Sequence, residues 1–412
     1  MGARQVGKTS LILEFAKQEY QRVVYLNFDE NNELKSLFEG SLSPDEILKK
    51  ITIYFEQDTI DQECLIFFDE VQECPEALNS LKYFCEKKPE ISVIAAGSLL
   101  GVQLASHQGF PVGKVNFLEL FPMSFFEFLN ALEQKNLLDL LLNITVNEKI
   151  NEAIHNKCLA FLKEYLYIGG MPAAVKKYVE TKDINKVANV HKEIINGYML
   201  DFSKHTDKNT AIKIKQVWES IPTQLAKENK KFIFNLIRKG ARAREYEHSI
   251  EWMENAGIIY KQYLCQTPKL PIKAYCDHNF FKVYLLDVGL LGHLNDVSPK
   301  VLLSENALLT EYKGSLIENF VLQELKQKYS SELFYWTSNG KAEVDLIMQH
   351  ENAIYPLEIK AGSSKIKKSL ILYNDKYNPP FSARASQRNL TKDGNFINYP
   401  LYLISRFPEL QT

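Results

Sequence analysis

The chain has 412 residues, of which 45% are hydrophobic, and this length predicts about two to four domains that each bury a core. Lysine and arginine number 49 against 51 for aspartate and glutamate, and the formal net charge of −2 excludes a uniformly basic protein, so any nucleic-acid contact must come from a local patch. The composition also excludes a disordered or low-complexity chain.

A phosphate-binding loop is predicted at the start of the sequence, because Gly2–Thr9 fits G-x-x-x-x-G-K-[ST] at every fixed position. In such a loop the glycines let backbone N–H groups turn toward a polyphosphate, Lys8 reaches the β- and γ-phosphates, and the Thr9 hydroxyl ligates Mg²⁺. Apolar residues at helical spacing predict a helix over Ser10–Tyr20, whose N-terminal dipole favours the anion. The alternative is a chance match in a glycine-rich turn. The predicted nucleotide-binding residues are Gly2, Ala3, Arg4, Gln5, Val6, Gly7, Lys8, Thr9 and Ser10.

A phosphate-binding loop normally follows a buried central strand, and here only Met1 precedes it. Without that strand, both neighbouring strands are expected to be exposed and the loop to lose its support. We therefore interpret Met1 as an internal methionine of a longer reading frame, which an in-frame stop codon shortly upstream would contradict.

Two apolar stretches, Val23–Phe28 and Leu65–Phe68, predict strands of a parallel sheet. The second stretch ends in Asp69 and Glu70, and an apolar run closed by two carboxylates is the Walker B pattern. In that pattern Asp69 holds the Mg²⁺ shell, while Glu70 orients and activates the attacking water. The alternative is a strand end capped by two solvated acids.

Two further strands are predicted at Ser92–Ala96 and Val115–Leu118. Ser98 follows the first of them and is a candidate sensor of the γ-phosphate. It therefore joins Lys8 and Glu70 as a candidate catalytic residue. The alternative is that Ser98 caps the turn that follows it.

Together these segments resemble a prokaryotic family of AAA-type ATPases that carry a C-terminal domain of unknown function, DUF4143. The segments that carry the resemblance are Gly2–Thr9, Phe68–Gln72, Ala96–Gly101, Phe110–Val115, Leu120–Phe125, Gly169–Pro172 and Tyr198–Phe202. The resemblance implies a P-loop α/β fold, ATP and Mg²⁺ as ligands, and a homo-oligomer in which a neighbouring subunit completes the site. The chain departs from the family in lacking the strand before the loop.

The middle of the chain is predicted to be helical, with a lid or linker over residues 131–215. Beyond it, the sequence predicts helices at Pro222–Asn229 and Arg244–Gly257 and strands at Ile258–Gln262 and Phe281–Leu285. Helices followed by a small β-wing indicate a winged-helix-like domain over residues 216–295, which the family resemblance supports.

A local basic bias lies within Lys227–Arg244, a segment that holds seven lysines and arginines and one acid, Glu228. Such a patch suits the phosphates of DNA. The alternatives are a solvated charged face, or a lid that contacts the nucleotide domain of the same chain.

The last predicted domain begins with a helix over Tyr312–Tyr329, in which Glu318 lies within the apolar stripe. A carboxylate in such a position is costly unless another group pairs with it. Two strands are predicted to follow, Ala342–Met348 and Ile354–Lys360, and the first of them contains Asp345.

Asp345, followed after a short gap by Glu358-x-Lys360, resembles the signature of the PD-(D/E)XK nuclease-like fold. The resemblance implies that Asp345 and Glu358 ligate Mg²⁺ with support from Glu318. Lys360 would then position or activate the water that attacks a phosphodiester. The alternative is an inactive relative in which these residues form structural salt bridges.

The six cysteines include no pair with C-x-x-C spacing, so the sequence has no signature of a zinc site or a redox pair, and no disulfide framework is expected. The apolar runs are far shorter than a membrane span, and the N-terminus has no apolar signal region. These features predict a soluble cytoplasmic protein that does not enter a membrane.

The predicted fold class is α/β, with a P-loop parallel sheet whose first strand is missing. The predicted domains are an AAA-type ATPase domain (1–130), a helical lid or linker (131–215), a winged-helix-like domain (216–295) and a restriction-endonuclease-like PD-(D/E)XK domain (296–412). The predicted function is a Mg²⁺-dependent ATPase that couples its nucleotide state to binding or cleavage of DNA. The alternative is a regulatory ATP switch that binds a protein or DNA partner and cleaves nothing.

Overall fold

The structure, a computed structural model, describes residues 1–56, 59–102, 113–227, 230–297, 310–338, 342–360 and 368–410. Two compact units divide the chain between them. The first unit comprises Met1–Phe121 and Asn255–Ile258, and the second comprises Pro122–Glu254 and Ile259–Thr412.

The first unit contains a three-stranded parallel sheet in the order β1-β2-β3. Its strands are β1 (Arg22–Asn27), β2 (Cys64–Asp69) and β3 (Ser92–Ala95), and its helices are α1 (Lys8–Glu19), α2 (Pro44–Tyr54) and α3 (Pro75–Lys87), with 3₁₀ turns at Asn32–Phe38 and Val71–Glu73. Every residue of β2 is buried, as expected for a central strand of a parallel sheet that is covered on both faces. The predicted α/β class is confirmed in this unit.

Aromatic rings fill the core of the first unit at one end of the sheet. Phe28 and Phe38 pack edge to face with ring centroids 5.5 Å apart, and Phe38 and Phe68 do so at 5.2 Å. All three rings are fully buried. Since Phe28 follows β1 directly and Phe68 is near the end of β2, this packing fixes the carboxyl ends of both strands.

The predicted strand at Val115–Leu118 is wrong, because the described residues form no strand there. The Met1 amino group donates to the Leu118 carbonyl, and the Leu120 N–H donates to the Met1 carbonyl at 2.9 Å. Phe117 and Leu118 are 50% and 83% exposed. A strand needs a ladder of several partners, and a contact with the single residue Met1 does not supply one.

The second unit begins with a series of helices that covers the stretch predicted to be helical. Its helices are α4 (Phe125–Ala131), α5 (Lys135–Asn143), α6 (Glu152–Ile168), α7 (Pro172–Thr181), α8 (Ile184–Lys204), α9 (Lys208–Leu225), α10 (Ala243–Asn255), α11 (Val288–Leu294), α12 (Thr310–Tyr329) and α13 (Lys368–Tyr377), with 3₁₀ turns at Phe234–Leu236, Ile272–Tyr275 and Leu401–Arg406. Pro222, where a helix was predicted to begin, lies in the last turn of α9. A proline in the last turn removes one backbone hydrogen bond without breaking the helix.

An eight-stranded mixed sheet forms the rest of the second unit, in the order β10-β11-β9-β8-β7-β6-β4-β5. Its strands are β4 (Ile259–Cys265), β5 (Cys276–Leu285), β6 (Leu333–Thr337), β7 (Glu343–His350), β8 (Ala353–Ile359), β9 (Ser382–Ser386), β10 (Thr391–Asp393) and β11 (Phe396–Pro400). The strands predicted around Asp345 and Glu358 are neighbours in this sheet, and they pair in the antiparallel direction.

The two strands predicted as a β-wing belong to this same sheet. β4 pairs antiparallel with β5 on one edge and parallel with β6 on the other, where Gln262 lies opposite Leu333. The fully buried Gln262 amide donates to the backbone carbonyls of Phe334 at 3.2 Å and Asp345 at 2.8 Å. The hairpin is therefore anchored in the sheet, which includes strands from both sides of the division expected near residue 296.

Candidate functional site

The N-terminal loop adopts backbone conformations that suit glycine. Gly7 has φ of 93° and directly precedes α1. Gly2 has φ of 135°, and a Cβ atom at that position would lie 2.2 Å from the carbonyl oxygen of Leu120. A side chain at either glycine would thus strain the turn or collide with the neighbouring backbone. Ala3 and Val6 are buried, whereas Gln5 and Ser10 are exposed.

The Lys8 side chain lies across this loop. Its ammonium group donates to the carbonyl oxygens of Gly2 at 2.9 Å and Ala3 at 2.7 Å. Burial lowers the pKa of Lys8 to about 8, although the nearby carboxylates of Glu70 and Asp69 act in the opposite direction. A partly desolvated cation among backbone groups, at the start of a helix, favours a phosphate at this position.

Thr9 and Asp69 are in direct contact, although they come from different elements. The Thr9 hydroxyl donates to Asp69 Oδ2 at 2.8 Å, and the Tyr25 hydroxyl donates to the same oxygen at 2.9 Å. Asp69 is buried at the end of β2, and its Oδ1 accepts the Glu70 N–H at 3.0 Å. A hydroxyl and a carboxylate held together supply the oxygen ligands that Mg²⁺ prefers.

Glu70 adopts a left-handed backbone conformation, with φ of 48°, directly after β2. Its Oε2 accepts the Gln72 side-chain amide at 2.5 Å and the Ser98 hydroxyl at 3.3 Å. A Cβ atom on Gly97 would lie 2.2 Å from Gln72 Oε1, so the glycine makes room for this amide. The candidate base and the candidate sensor therefore meet at the carboxyl ends of neighbouring parallel strands, where ligands bind in open α/β sheets.

Two residues of this site were not among the sequence predictions, Tyr25 and Gln72. Tyr25 lies on β1, one strand away from Asp69, and burial together with its hydrogen bond to Asp69 raises its pKa to about 12. The Asn27 amide donates to the Tyr25 hydroxyl at 3.1 Å. The sequence signal that could have identified Tyr25 was its position as a polar residue close to the carboxyl end of β1, the strand next to β2.

In the second unit, Asp345 and Glu358 lie on the neighbouring strands β7 and β8, and both side chains are buried. Asp345 Oδ2 accepts the backbone N–H of Ile359 at 2.8 Å. Glu358 forms a salt bridge of 2.8 Å with Lys360. Three of the four predicted residues of the nuclease-like motif thus occupy one region of the sheet.

Glu318, the fourth, pairs with cations from other elements. Its carboxylate accepts from Lys230 and, at 3.2 Å, from the Tyr284 hydroxyl. Burial opposes its ionisation, but the ammonium groups of Lys230 and Lys282 hold the pKa of Glu318 below its usual value. Lys282 is itself buried and forms a 2.6 Å salt bridge with Glu343. Glu318 is therefore one of two anions in an ion-pair cluster with Lys230, Lys282 and Glu343.

No group of three or more His, Cys, Asp or Glu side chains in the described ranges is arranged to hold a metal ion. The Mg²⁺ roles of Glu318, Asp345 and Glu358, and the catalytic role of Lys360, stay predictions. The same holds for the first site, in which Thr9 and Asp69 provide two oxygen ligands.

Several cations of the basic segment Lys227–Arg244 make contacts within the second unit. Lys230 pairs with Glu318, Lys231 lies 3.7 Å from the centroid of the Phe280 ring, and Arg238 pairs with Glu245 at 2.9 Å. Glu228 and Asn229 lie outside the described residues. The cations that project from this segment as exposed residues include Lys239, Arg242 and Arg244.

Three families match successive parts of the chain. Residues 1–129 match the family described as an AAA domain, residues 160–301 match the domain of unknown function DUF8612, and residues 313–403 match the domain of unknown function DUF4143. These matches confirm the prediction of an AAA-type P-loop ATPase domain with a C-terminal DUF4143 domain. The nuclease-like and winged-helix-like assignments stay predictions.

Two curated relatives match a short part of the chain. They are uncharacterized proteins of Mycobacterium bovis and Mycobacterium tuberculosis, each 33% identical over 84 residues, which is 20% of this chain and 18% of the relative. The chain thus spans less than a fifth of the length of these relatives. A solved Walker-type ATPase of Pyrococcus abyssi aligns with a TM-score of 0.43 and 16% identity, over 71% of this chain and 89% of that one.

Among the described residues, no helix combines the length and the apolar character needed to cross a membrane.

Proposed function

We propose that the chain is a Mg²⁺-dependent ATPase whose active site contains Lys8, Thr9, Asp69, Glu70 and Ser98. The observation that carries the proposal is the 2.8 Å hydrogen bond from Thr9 to Asp69, with Lys8 on the same loop. It joins the phosphate-binding loop to the Walker B strand end, and the AAA domain match covers both segments.

The role of each residue in ATP hydrolysis follows from its chemistry and its position in the site. Backbone N–H groups of residues 2–9 and the Lys8 ammonium bind the phosphates, which stabilises the negative charge that shifts during γ-phosphoryl transfer. Thr9 and Asp69 are the residues that would hold Mg²⁺, which neutralises charge between the β- and γ-phosphates when bound. Glu70 accepts a proton from the attacking water, and Ser98 and Gln72 orient its carboxylate.

The test is ATP turnover, followed as phosphate release with Mg²⁺ present. Glu70→Gln should lower kcat by about 10²–10⁴-fold, because the amide cannot accept the proton, while ATP binding persists. Glu73→Gln is the matched control, since Glu73 is three residues further on and pairs with Lys35 at 3.9 Å. Unchanged turnover in Glu70→Gln would remove Glu70 from the proposal, and a wild-type chain that releases no phosphate would overturn it.

A second candidate function is metal-dependent cleavage of DNA, gated by the nucleotide state. It is favoured by the position of Asp345 and Glu358 on neighbouring antiparallel strands, with Lys360 in a salt bridge to Glu358. The exposed cations Lys239, Arg242 and Arg244 would contact the phosphate backbone. The rival is an ATP switch that binds a protein or DNA partner through the same surfaces and cleaves nothing.

Cleavage of single-stranded, duplex and branched DNA, with Mg²⁺ or Mn²⁺ and with or without ATP, separates these two functions. If the second candidate is correct, Asp345→Asn abolishes cleavage and leaves ATP turnover intact. The control is Asp393→Asn, an exposed aspartate on β10 of the same sheet. Absence of cleavage by the wild-type chain on every substrate would favour the switch, with Asp345, Glu358 and Lys360 acting as structural residues.

A further inference from the structure

Two cysteines face each other at the loop end of the β4–β5 hairpin. Cys265 is the last residue of β4 and Cys276 is the first residue of β5, and the register places them directly opposite one another. Opposed residues of an antiparallel pair have Cα atoms about 4.5–5.5 Å apart. Disulfides span Cα separations of about 4.4–6.8 Å, so the backbone already has the spacing that a bridge requires.

The thiols themselves interact. A hydrogen bond between the two side chains lowers the pKa of Cys265. The same bond, together with burial, raises the pKa of Cys276. The Cys276 thiol also donates to the Ile272 carbonyl at 3.0 Å, which keeps the sulfur on this side of the hairpin.

Neighbouring side chains hold the hairpin end in place. The Trp336 indole N–H and the Tyr377 hydroxyl donate to the carbonyl of Gln266, at 3.2 Å and 3.3 Å. Cys265 is buried in an apolar cluster that includes Trp336, whereas Cys276 is partly exposed at its edge. The pair is thus held on directly opposed positions of the two strands, with Cys265 buried and Cys276 partly exposed.

We propose that Cys265 and Cys276 form a dithiol site that is oxidised reversibly to a disulfide by a small peroxide. This site lies in the second unit and does not depend on the proposed ATPase activity. The other described cysteines include Cys64, Cys74 and Cys158, which are buried, and Cys85, which is exposed.

One molecule of hydrogen peroxide accepts the two electrons that the two thiols lose when the disulfide forms. Cys265, whose thiolate is favoured by the shared hydrogen bond, attacks a peroxide oxygen, the O–O bond breaks, and the leaving hydroxide takes up the proton that Cys265 released, so that a sulfenic acid and water form. The Cys276 thiol then attacks the Cys265 sulfur and displaces the hydroxide, which leaves with the Cys276 proton as a second water. The two sulfurs together lose two electrons, and hydrogen peroxide is reduced to two waters.

The test uses the full chain, reduced, treated with hydrogen peroxide, blocked with an alkylating agent and digested with trypsin without reductant. Cleavage after Lys261, Lys269, Lys273 and Lys282 places the two cysteines in the separate peptides QYLCQTPK and AYCDHNFFK. The expected product is these peptides joined, with a mass lower than their sum by two hydrogen atoms, and dithiothreitol should return both.

Two variants and one unfolded sample serve as controls. Cys85→Ser removes the exposed thiol and should leave the linked product unchanged, whereas Cys276→Ser should abolish it. In the wild-type chain oxidised in denaturant, linkages should spread over other cysteine pairs because the hairpin no longer aligns these two. Recovery of both peptides alkylated, or of Cys276 as a sulfinic acid with Cys265 still a thiol, would overturn the proposal.

Discussion

The Thr9 hydroxyl donates a 2.8 Å hydrogen bond to Oδ2 of Asp69, 60 positions further along the chain. The first residue lies in the first turn of α1 and the second ends β2, so the contact joins the phosphate-binding loop to the acidic strand end. The hydroxyl proton thus provides a partner for the buried carboxylate. Thr9 and Asp69 are therefore the residues that would hold Mg²⁺ here, since a hydroxyl and a carboxylate are oxygen ligands of the kind that it prefers.

Substitution of Asp69 by asparagine tests this arrangement. Asp69→Asn keeps the shape of the side chain but removes its charge, so Mg²⁺-dependent ATP turnover should fall by about 10²-fold or more. ATP binding measured without Mg²⁺ should change much less. The comparison is Asp61→Asn, whose carboxylate pairs with Arg22 at 2.8 Å outside the site. Equal losses of binding with and without Mg²⁺ would argue against a metal role for Asp69.

Tyr25 should position Asp69 through a single hydrogen bond. Tyr25→Phe keeps the ring packed against Phe67, at a centroid separation of 5.2 Å, and removes the donor to Asp69. A hydrogen bond to a charged group contributes about 1.5–3 kcal/mol, which corresponds to a loss of about tenfold or more in apparent Mg²⁺ affinity. Titration of ATP turnover with Mg²⁺ measures this loss. Tyr54→Phe, which removes a hydroxyl bonded to Asn31, should leave the titration unchanged.

The pKa of Lys8 predicts how ATP binding depends on pH. Because that pKa lies at about 8, Lys8 is charged at pH 7 and largely neutral at pH 9 in the free protein. Bound phosphate favours the charged form, so affinity should fall as pH rises through 8, by up to about tenfold per pH unit. Binding titrations between pH 7 and pH 9 measure the slope. Lys8→Arg should flatten it, since arginine stays protonated, and an equally flat wild-type profile would contradict the assignment.

The predictions that the structure confirms came from local sequence patterns. Apolar residues at helical spacing after the P-loop predicted α1, which begins directly after the left-handed Gly7. The apolar run before Asp69 predicted a buried strand, and every residue of β2 is buried. In both cases the residues that determine the structure are neighbours in sequence. The spacing of the apolar residues is therefore enough to predict the helix and the strand. The AAA domain match, over residues 1–129, covers both segments.

Contacts between distant residues account for what the sequence did not predict. Tyr25 meets Asp69 across 44 positions, and Lys230 meets Glu318 across 88. The pairing of β4 with β6, which makes the predicted wing part of a larger sheet, likewise joins Gln262 to Leu333. Strand register and ion-pair partners of this kind are set by tertiary packing, which a single sequence does not encode in any local period.

The buried pair Lys230–Glu318 should be structural, and its stability effect can be measured. Glu318→Gln leaves the Lys230 ammonium, 12% exposed, without its anion, which should lower the free energy of unfolding by about 3–5 kcal/mol. Adding Lys230→Met should recover part of that loss. The exposed pair Lys215–Glu219 is the control, and Glu219→Gln should change the unfolding free energy by less than about 1 kcal/mol. Urea unfolding of the wild type and these three variants provides the comparison, and similar losses for Glu318→Gln and Glu219→Gln would reject a stabilising role.

A second buried acid should make stability depend on pH in a defined direction. Glu324 accepts the Phe125 N–H at 2.8 Å, and burial raises its pKa to about 8. The native state therefore retains a proton on Glu324 between about pH 4.5 and 8, whereas the unfolded chain releases it near pH 4.5. Because the native state binds more protons in this range, the contribution of Glu324 to the free energy of unfolding decreases as pH rises from 5 to 8.

Glu324→Gln separates this contribution from those of other groups, since the amide oxygen can still accept from Phe125 but cannot titrate. The variant should lose less stability than the wild type between pH 5 and pH 8, so the difference between the two unfolding free energies should grow with pH. Glu219→Gln, at an exposed position, should follow the wild-type curve. Parallel curves for Glu324→Gln and the wild type would mean that the native carboxyl group ionises near its ordinary pKa. A hydrogen bond from Phe125 would then stabilise the charged form against the cost of burial.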